Sequence, residues 1–179
     1  MNIPIIGINS LESLAYNILC KDNLKEFYKK QESNYEDEKL ITNLVLENKK
    51  ILLNSELIKN QKICTMIDAK NDQIYFGIYD ENMKEIEIGA CYIDEIIEKL
   101  KQEKSIFLVG DGATVHKQKI ISSLAETTLT FWNLDYQSSI SLSLASLNKY
   151  EKGEIGDAAT INPLYLKKSQ AERMKESKK

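Results

Sequence analysis

The chain has 179 residues, of which 42% are hydrophobic and 28% charged, and its 24 basic and 27 acidic side chains give a net charge of −3. This length suits one domain or two small lobes, and the composition is that of a folded globular protein. The slight negative charge excludes a basic surface over the whole molecule for nucleic acid, and the sequence has no apolar run of the roughly 20 residues that span a bilayer.

The first predicted elements occupy residues 3–20. Ile3 to Ile8 has the apolar character of a short buried strand. Asn9 and Ser10 are suited to cap the helix that follows, in which apolar residues recur on one face. The start of the sequence carries no basic and apolar export signal, so we expect a cytoplasmic protein that does not contact a membrane.

Residues 21–61 are unusually rich in lysine, glutamate and asparagine. The spacing of the apolar residues after residue 40 predicts one or two amphipathic helices beside an acidic joint. We interpret this segment as a charged helical insertion that packs on its own domain, because an apolar stripe usually faces its own core. The alternative is a helix that docks on a partner, which would make the chain a stand-alone interaction domain.

Strand patterns dominate from Lys62 and later alternate with helix patterns. The strand patterns cover residues 63–68, 73–79, 85–91, 105–109 and 128–132. The helix patterns cover 92–103, the stretch after a turn at 110–114 that carries Ile120, Ile121 and Leu124, and 139–150. This β-β-β-α-β-α-β-α order predicts a ribonuclease-H-like α/β lobe over residues 62–162. Residues 163–179 follow as an extended segment with a basic tail, which we expect to be solvated and to contact tRNA weakly at most.

A glycine-rich turn is the most site-like feature of the sequence. Gly110, Asp111, Gly112 and Ala113 lie between a buried strand pattern and a helix pattern. Glycines there allow backbone amides to approach a phosphate, but Asp111 places a carboxylate in the turn and no lysine follows at the P-loop spacing. We favour a tight structural turn, with nucleotide or phosphate contact through these four residues and Asp68 as the alternative.

Three acidic residues end or follow predicted strands, namely Asp68, Asp111 and Asp135. Carboxylates at neighbouring strand ends are suited to bind Mg²⁺ for phosphodiester cleavage. However, aspartates also cap turns and helices, and no second acid lies two residues after Asp68. A Mg²⁺-dependent ribonuclease-H-like nuclease that uses these three acids is therefore the alternative function.

Histidine and cysteine are scarce. His116 is the single histidine, and the three cysteines, Cys20, Cys64 and Cys91, are far apart in the sequence. Metal centres with two histidines, Cys-x-x-Cys zinc sites and a disulfide framework are therefore excluded within this chain. We predict no metal site and no catalytic residue, and we expect His116 to be an exposed polar side chain.

Three stretches, taken in order, resemble the TsaB family, whose members are also called glycoprotease-like or M22-like homologues. These stretches are NIPIIGINSLESLAYN at 2–17, ICTMIDAKNDQIY at 63–75 and PLYLKKSQAER at 163–173, with LVGDGA at 108–113 in the expected place. The resemblance covers most of the chain outside residues 21–61.

The resemblance implies a two-lobed fold of the actin-like ATPase (ASKHA) superfamily, built from ribonuclease-H-like halves. It also implies a non-catalytic accessory role in forming N6-threonylcarbamoyladenosine at position 37 of tRNA. The implied partners are a TsaD-like catalytic subunit and a TsaE-like ATPase, which would hold the ATP and the metal, so that this chain needs no cofactor. The single histidine agrees with this role, since the catalytic relative uses a histidine pair for its metal.

The sequence lacks two segments that open TsaB proteins, one similar to Asp-Thr-Ser and one similar to Gly-Pro-Gly-Ser-Phe-Thr-Gly-Leu-Arg. We therefore expect the chain to correspond to the C-terminal half of the family, with residues 1–20 as the remaining strand and helix of the first lobe. In the family the first lobe supplies the main surface for the catalytic partner and for self-pairing. Contact with the TsaD-like subunit and formation of a homodimer are left open for this chain.

Overall fold

The computed structural model describes residues 5–20, 58–159 and 161–167. The helices predicted within 21–57 and the basic tail beyond residue 167 lie outside the described residues. Within the described ranges, no helix combines the length and the apolar character needed to cross a membrane.

Five strands form one mixed sheet in the order β3-β2-β1-β4-β5. The strands are β1 (Lys62–Asp68), β2 (Gln73–Tyr79), β3 (Glu85–Tyr92), β4 (Ser105–Val109) and β5 (Thr128–Phe131). The pairs β1–β2 and β2–β3 are antiparallel, whereas β1–β4 and β4–β5 are parallel. The meander followed by parallel strands confirms the predicted ribonuclease-H-like α/β fold.

The helices begin and end close to the predicted positions. They are α1 (Ser10–Tyr16) with a 3₁₀ turn at Asn17–Cys20, α2 (Ile93–Leu100), α3 (Asp111–Val115), α4 (Lys117–Ser123) and α5 (Ser139–Glu151). Asn9 caps α1 as predicted, since its Oδ1 accepts the Glu12 N–H at 2.7 Å. The helix predicted after the turn at residues 110–114 is α4. The predicted turn itself contains the short helix α3, and the backbone of His116 leaves the helical conformation and separates the two helices.

The sheet is covered on both faces, which makes three layers. Along β4, Ile106 and Leu108 pack towards α2 and α4, and the alternate residues Phe107 and Val109 pack towards α1 and α5. This double burial explains why the β4 sequence is continuously apolar. Residues of α1 and of the 3₁₀ turn belong to the core that contains Phe107 and Val109.

The strand predicted at Ile3–Ile8 is wrong for residues 5–8, which form no regular strand. Ile5 makes one isolated antiparallel bridge with Gly156, with N–H···O distances of 3.0 and 2.9 Å. The chain leading to Gly156 is a tight turn, in which the Ile155 N–H donates to the Gly153 carbonyl at 2.9 Å. This turn offers no extended partner, so pairing stops after one bridge.

Candidate functional site

The carboxyl ends of β1 and β4 bring two of the predicted site residues together. Asp68 is the last residue of β1, and Asp111 is the first residue of α3, directly after the turn that follows β4. The Asp68 N–H donates to Oδ1 of Asp111 at 3.1 Å. Ligands of open α/β sheets bind in the crevice beyond the carboxyl ends of parallel strands, so this edge is the candidate site.

Lys70 holds the Asp68 carboxylate in the turn between β1 and β2. The Lys70 ammonium donates to Oδ2 of Asp68 at 2.5 Å, and the Lys70 N–H donates to Oδ1 at 3.0 Å. These two hydrogen bonds, the first of them the larger cause, lower the pKa of Asp68. Sequence reasoning did not single out Lys70; the signal was its position two residues after an aspartate, as in an Asx turn.

The glycine-rich turn packs tightly against β1. At Gly110, where φ is +103°, a Cβ atom would lie 2.2 Å from the Met66 carbonyl oxygen, and at Gly112 it would lie 3.0 Å from Met66 atoms. The Ala113 and Thr114 N–H groups both donate to the Gly110 carbonyl, at 3.1 and 3.3 Å. The two glycines thus allow α3 to lie on β1, which agrees with a structural turn; phosphate contact here stays a prediction.

Asp135 lies in the loop after β5 and contacts α3. Its Oδ1 accepts the Thr114 hydroxyl at 2.7 Å. Over the described ranges, which include Asp68, Asp111 and Asp135, no three histidine, cysteine or acidic side chains are arranged to hold a metal ion. These three acids therefore do not form the Mg²⁺ site that the alternative nuclease function needs. Each of the three carboxylates instead accepts a hydrogen bond from the protein.

His116 is buried, so the prediction that it is exposed is wrong. It joins α3 to α4, and only 9% of its surface is exposed. Its backbone N–H donates to the Gly112 carbonyl at 3.2 Å, and the buried ring atom Nε2 has no hydrogen-bond partner among the described residues. The break between two short helices turns His116 inward, and no pattern in the sequence signals that break.

Asn17 positions the loop that carries Asp135. The fully buried Asn17 donates through Nδ2 to the Tyr136 carbonyl at 2.8 Å, and its own carbonyl accepts the Trp132 indole N–H at 3.0 Å. The Ser138 hydroxyl donates to Oδ1 of Asn17 at 3.3 Å. These bonds tie both ends of the loop to the 3₁₀ turn, and sequence reasoning missed all of them.

Comparison with known proteins gives similar solved structures but no family match. No protein-family model matches the chain, and no curated protein matches it in sequence. A Pseudomonas aeruginosa structure, described as an uncharacterized protein with similarity to peptidase YEAZ, is 15% identical with a TM-score of 0.49, over 92% of this chain and 59% of that one. YeaZ from Pseudomonas aeruginosa is 16% identical with a TM-score of 0.44, over 91% of this chain and 59% of that one.

The chain thus spans less than two thirds of the length of either similar protein. The fold of this chain is established by its own strand order and directions. Its activity and its partners are matters for proposal.

Proposed function

We propose that this chain is a non-catalytic, TsaB-like accessory subunit of the machinery that forms N6-threonylcarbamoyladenosine in tRNA. The observation that carries the non-catalytic part is the state of the strand-end acids. Asp68 is bonded to Lys70, Asp111 to the Asp68 N–H, and Asp135 to Thr114. Carboxylates that hold turns and loops together serve the fold and are not arranged around a reacting group.

The family part of the proposal is supported by the three stretches that resemble TsaB. In the structure the first stretch includes α1, the second runs from β1 through the Asp68–Lys70 turn into β2, and the third includes residues 163–167. Lys167 of the third stretch donates to Gln73 of the second. The stretches that carry the resemblance therefore meet within one part of the fold, as parts of a common structural unit would.

The proposal assigns the chemistry to partner subunits. A TsaD-like subunit would transfer the threonylcarbamoyl group with its own metal, and a TsaE-like subunit would hydrolyse ATP. This chain would bind no cofactor and would act in the cytoplasm, where tRNA is modified. Its contribution would be to hold the catalytic subunit in an active form.

Reconstitution tests the proposal directly. The TsaD-like and TsaE-like subunits of the same organism are incubated with ATP, threonylcarbamoyl-adenylate and tRNA, with and without the protein that carries this chain. Modified nucleoside is measured by mass spectrometry after digestion of the tRNA. We expect the modification to require the protein, and we expect the matched variants Asp135→Asn and Asp68→Asn to support it within about twofold, since neither carboxylate takes part in the chemistry.

Two results would contradict the proposal. Modification at an unchanged rate without the protein would remove the accessory role. Cleavage of RNA by the protein with Mg²⁺, abolished by Asp68→Asn or by Asp135→Asn, would show that the chain is itself an enzyme.

A further inference from the structure

A cavity of about 330 Å³ lies between the start of α1, the sheet and the chain at 164–167. Three parts of the chain line the cavity. They are the start of α1 with Asn9, Ser10 and Leu11, the strands β1, β2 and β3 with Ile67, Tyr75 and Ile88, and the segment Leu164, Tyr165, Leu166 and Lys167. Cavities of this size, mostly apolar with a few polar groups, are typical of small-molecule sites. Neither Asp68 nor Asp111 lines the cavity.

The walls of the cavity are apolar and aromatic. Leu11 is 3% exposed, and Ile67 packs against the buried core that α1 shares with the sheet, so both form part of a fixed floor. On the outer side, Leu164 is 60% exposed and Tyr165 is 83% exposed. An apolar body seated between this floor and this rim would remove apolar surface from water on both sides.

Lys167 is the one charged side chain among the ten that line the cavity, and none of the ten is acidic. Lys167 lies between this cavity and a neighbouring one, and its ammonium donates to the neutral Oε1 of Gln73, which lines the neighbouring cavity. An ammonium group has three N–H donors, so this bond leaves donors for a ligand. A second cavity of about 280 Å³ shares Leu166 and Lys167, and there the carboxylate of Glu95 accepts the Tyr92 N–H at 3.0 Å.

We propose that the first cavity binds a small carboxylic acid with an aromatic or aliphatic body. The body lies on Leu11, Ile67 and Ile88, and the carboxylate accepts hydrogen bonds from the Lys167 ammonium. Among the described residues that line it, the pocket has one cation and no acid, which favours an anion over the matched neutral molecule. This site is separate from the proposed accessory role and does not depend on it.

A pair of probes that differ only in charge tests the site. The protein is titrated with 2-naphthylacetate and with 2-naphthylacetamide, and backbone amide shifts are followed by NMR. We expect the shifts to centre on residues 9–11, 67, 75, 88 and 164–167, and we expect the acid to bind about tenfold more tightly than the amide, the size of one charge-assisted hydrogen bond.

Two variants and a matched control locate the binding. Lys167→Gln should abolish the preference for the acid, and Ile88→Trp should block both probes. Lys117→Gln removes the same charge outside the cavity, where Lys117 lies over the Phe131 ring at 4.9 Å, and should change nothing. Urea unfolding confirms that each variant is folded.

The proposal is overturned if neither probe binds at 10 millimolar, or if acid and amide bind equally well to the unaltered protein. It is also overturned if Lys117→Gln weakens acid binding as much as Lys167→Gln, because the attraction would then be a general surface effect. Shifts confined to residues outside the cavity would overturn it in the same way.

Discussion

The side-chain amide of Asn17 donates to the carbonyl of Tyr136 at 2.8 Å, across 119 residues of sequence. This bond joins the 3₁₀ turn after α1 to the loop after β5. Asn17 is fully buried, and its Oδ1 also accepts the Ser138 hydroxyl. One buried amide therefore determines where the loop with Asp135 lies on the sheet.

Asn17→Ala should lower the free energy of unfolding by about 2–3 kcal/mol, because it leaves buried polar groups without partners. Urea unfolding followed by tryptophan fluorescence measures the change, since Trp132 also bonds to Asn17. The control is Ser143→Ala on α5, a half-buried serine whose hydroxyl donates to the Ser139 carbonyl of the same helix, and it is expected to lie within about 0.5 kcal/mol of the unaltered protein. Equal effects of the two substitutions would show that Asn17 has no special role.

The bond from the Asp68 N–H to Asp111 predicts a difference between two substitutions at Asp111. Asp111→Ala removes the acceptor and should lower the free energy of unfolding by about 1–2 kcal/mol. Asp111→Asn keeps an oxygen at the same place and should lower it by less than half as much. If asparagine is as harmful as alanine in urea unfolding, the charge of Asp111 and not its hydrogen bond is what matters.

Gly112 lies so close to β1 that a side chain at this position would press on Met66. Gly112→Ala places a Cβ atom 3.0 Å from Met66, and we expect a loss of about 1–3 kcal/mol in the free energy of unfolding. Gly7→Ala is the matched control, because among the described residues its Cβ would meet only Ile161 atoms, at 3.8 Å or more. A melting temperature as low for Gly7→Ala as for Gly112→Ala would contradict this account of the turn.

The sequence predicts the five strands and their order because each depends on a repeated local pattern. Burial on both faces makes β4 continuously apolar, and the acid that ends β1 and the glycines after β4 indicate that Asp68 and Asp111 meet. The inward position of His116 depends on one break between two short helices. The spacing of apolar residues in the sequence does not indicate this break.

Other parts of the candidate site depend on single polar contacts between distant residues. Asn17 and Tyr136 belong to segments that look unrelated in the sequence, and only the packing of the 3₁₀ turn beneath the loop brings them together. The position of Asp135 after a strand is also typical of a metal ligand, but its carboxylate accepts the hydroxyl of Thr114, which lies 21 residues earlier in the sequence. Local patterns do not encode which of several donors a carboxylate will meet.

The Asp68–Lys70 pair predicts a pH dependence on the acid side. The folded-state pKa of Asp68 lies below its unfolded value, so its contribution to stability is present above the unfolded pKa and is lost as the pH falls through the folded one. Lys70→Met removes the main cause of the lowered pKa. The fall in the free energy of unfolding below about pH 4 should therefore be shallower in this variant than in the unaltered protein.

Urea unfolding at a series of pH values between about 2 and 6 measures this slope. The control is Lys101→Met, which breaks an exposed pair with Glu98 whose two side chains are 48% and 67% exposed. A change of slope in Lys101→Met equal to that in Lys70→Met would show that net charge, and not the Asp68 contact, produces the effect.

The largest electrostatic effect should come from the ion pair between Lys149 and Glu12, whose Nζ and Oε2 atoms are 2.8 Å apart and whose side chains are only 22% and 11% exposed. Burial raises the pKa of Glu12, and the Lys149 ammonium, which also donates to the Gly7 carbonyl, opposes that rise. Lys149→Met should lower the free energy of unfolding at pH 7 by about 2–3 kcal/mol, because it leaves a buried carboxylate without its cation. An acid whose folded pKa is raised contributes stability below its unfolded pKa and loses that stability as the pH rises. The Lys149→Met variant should therefore regain stability as the pH falls from about 7 to 5.

The double variant Glu12→Gln with Lys149→Met is the control, and it should recover most of the loss at pH 7. A double variant as unstable as Lys149→Met would show that the packing of the lysine stem matters more than its charge.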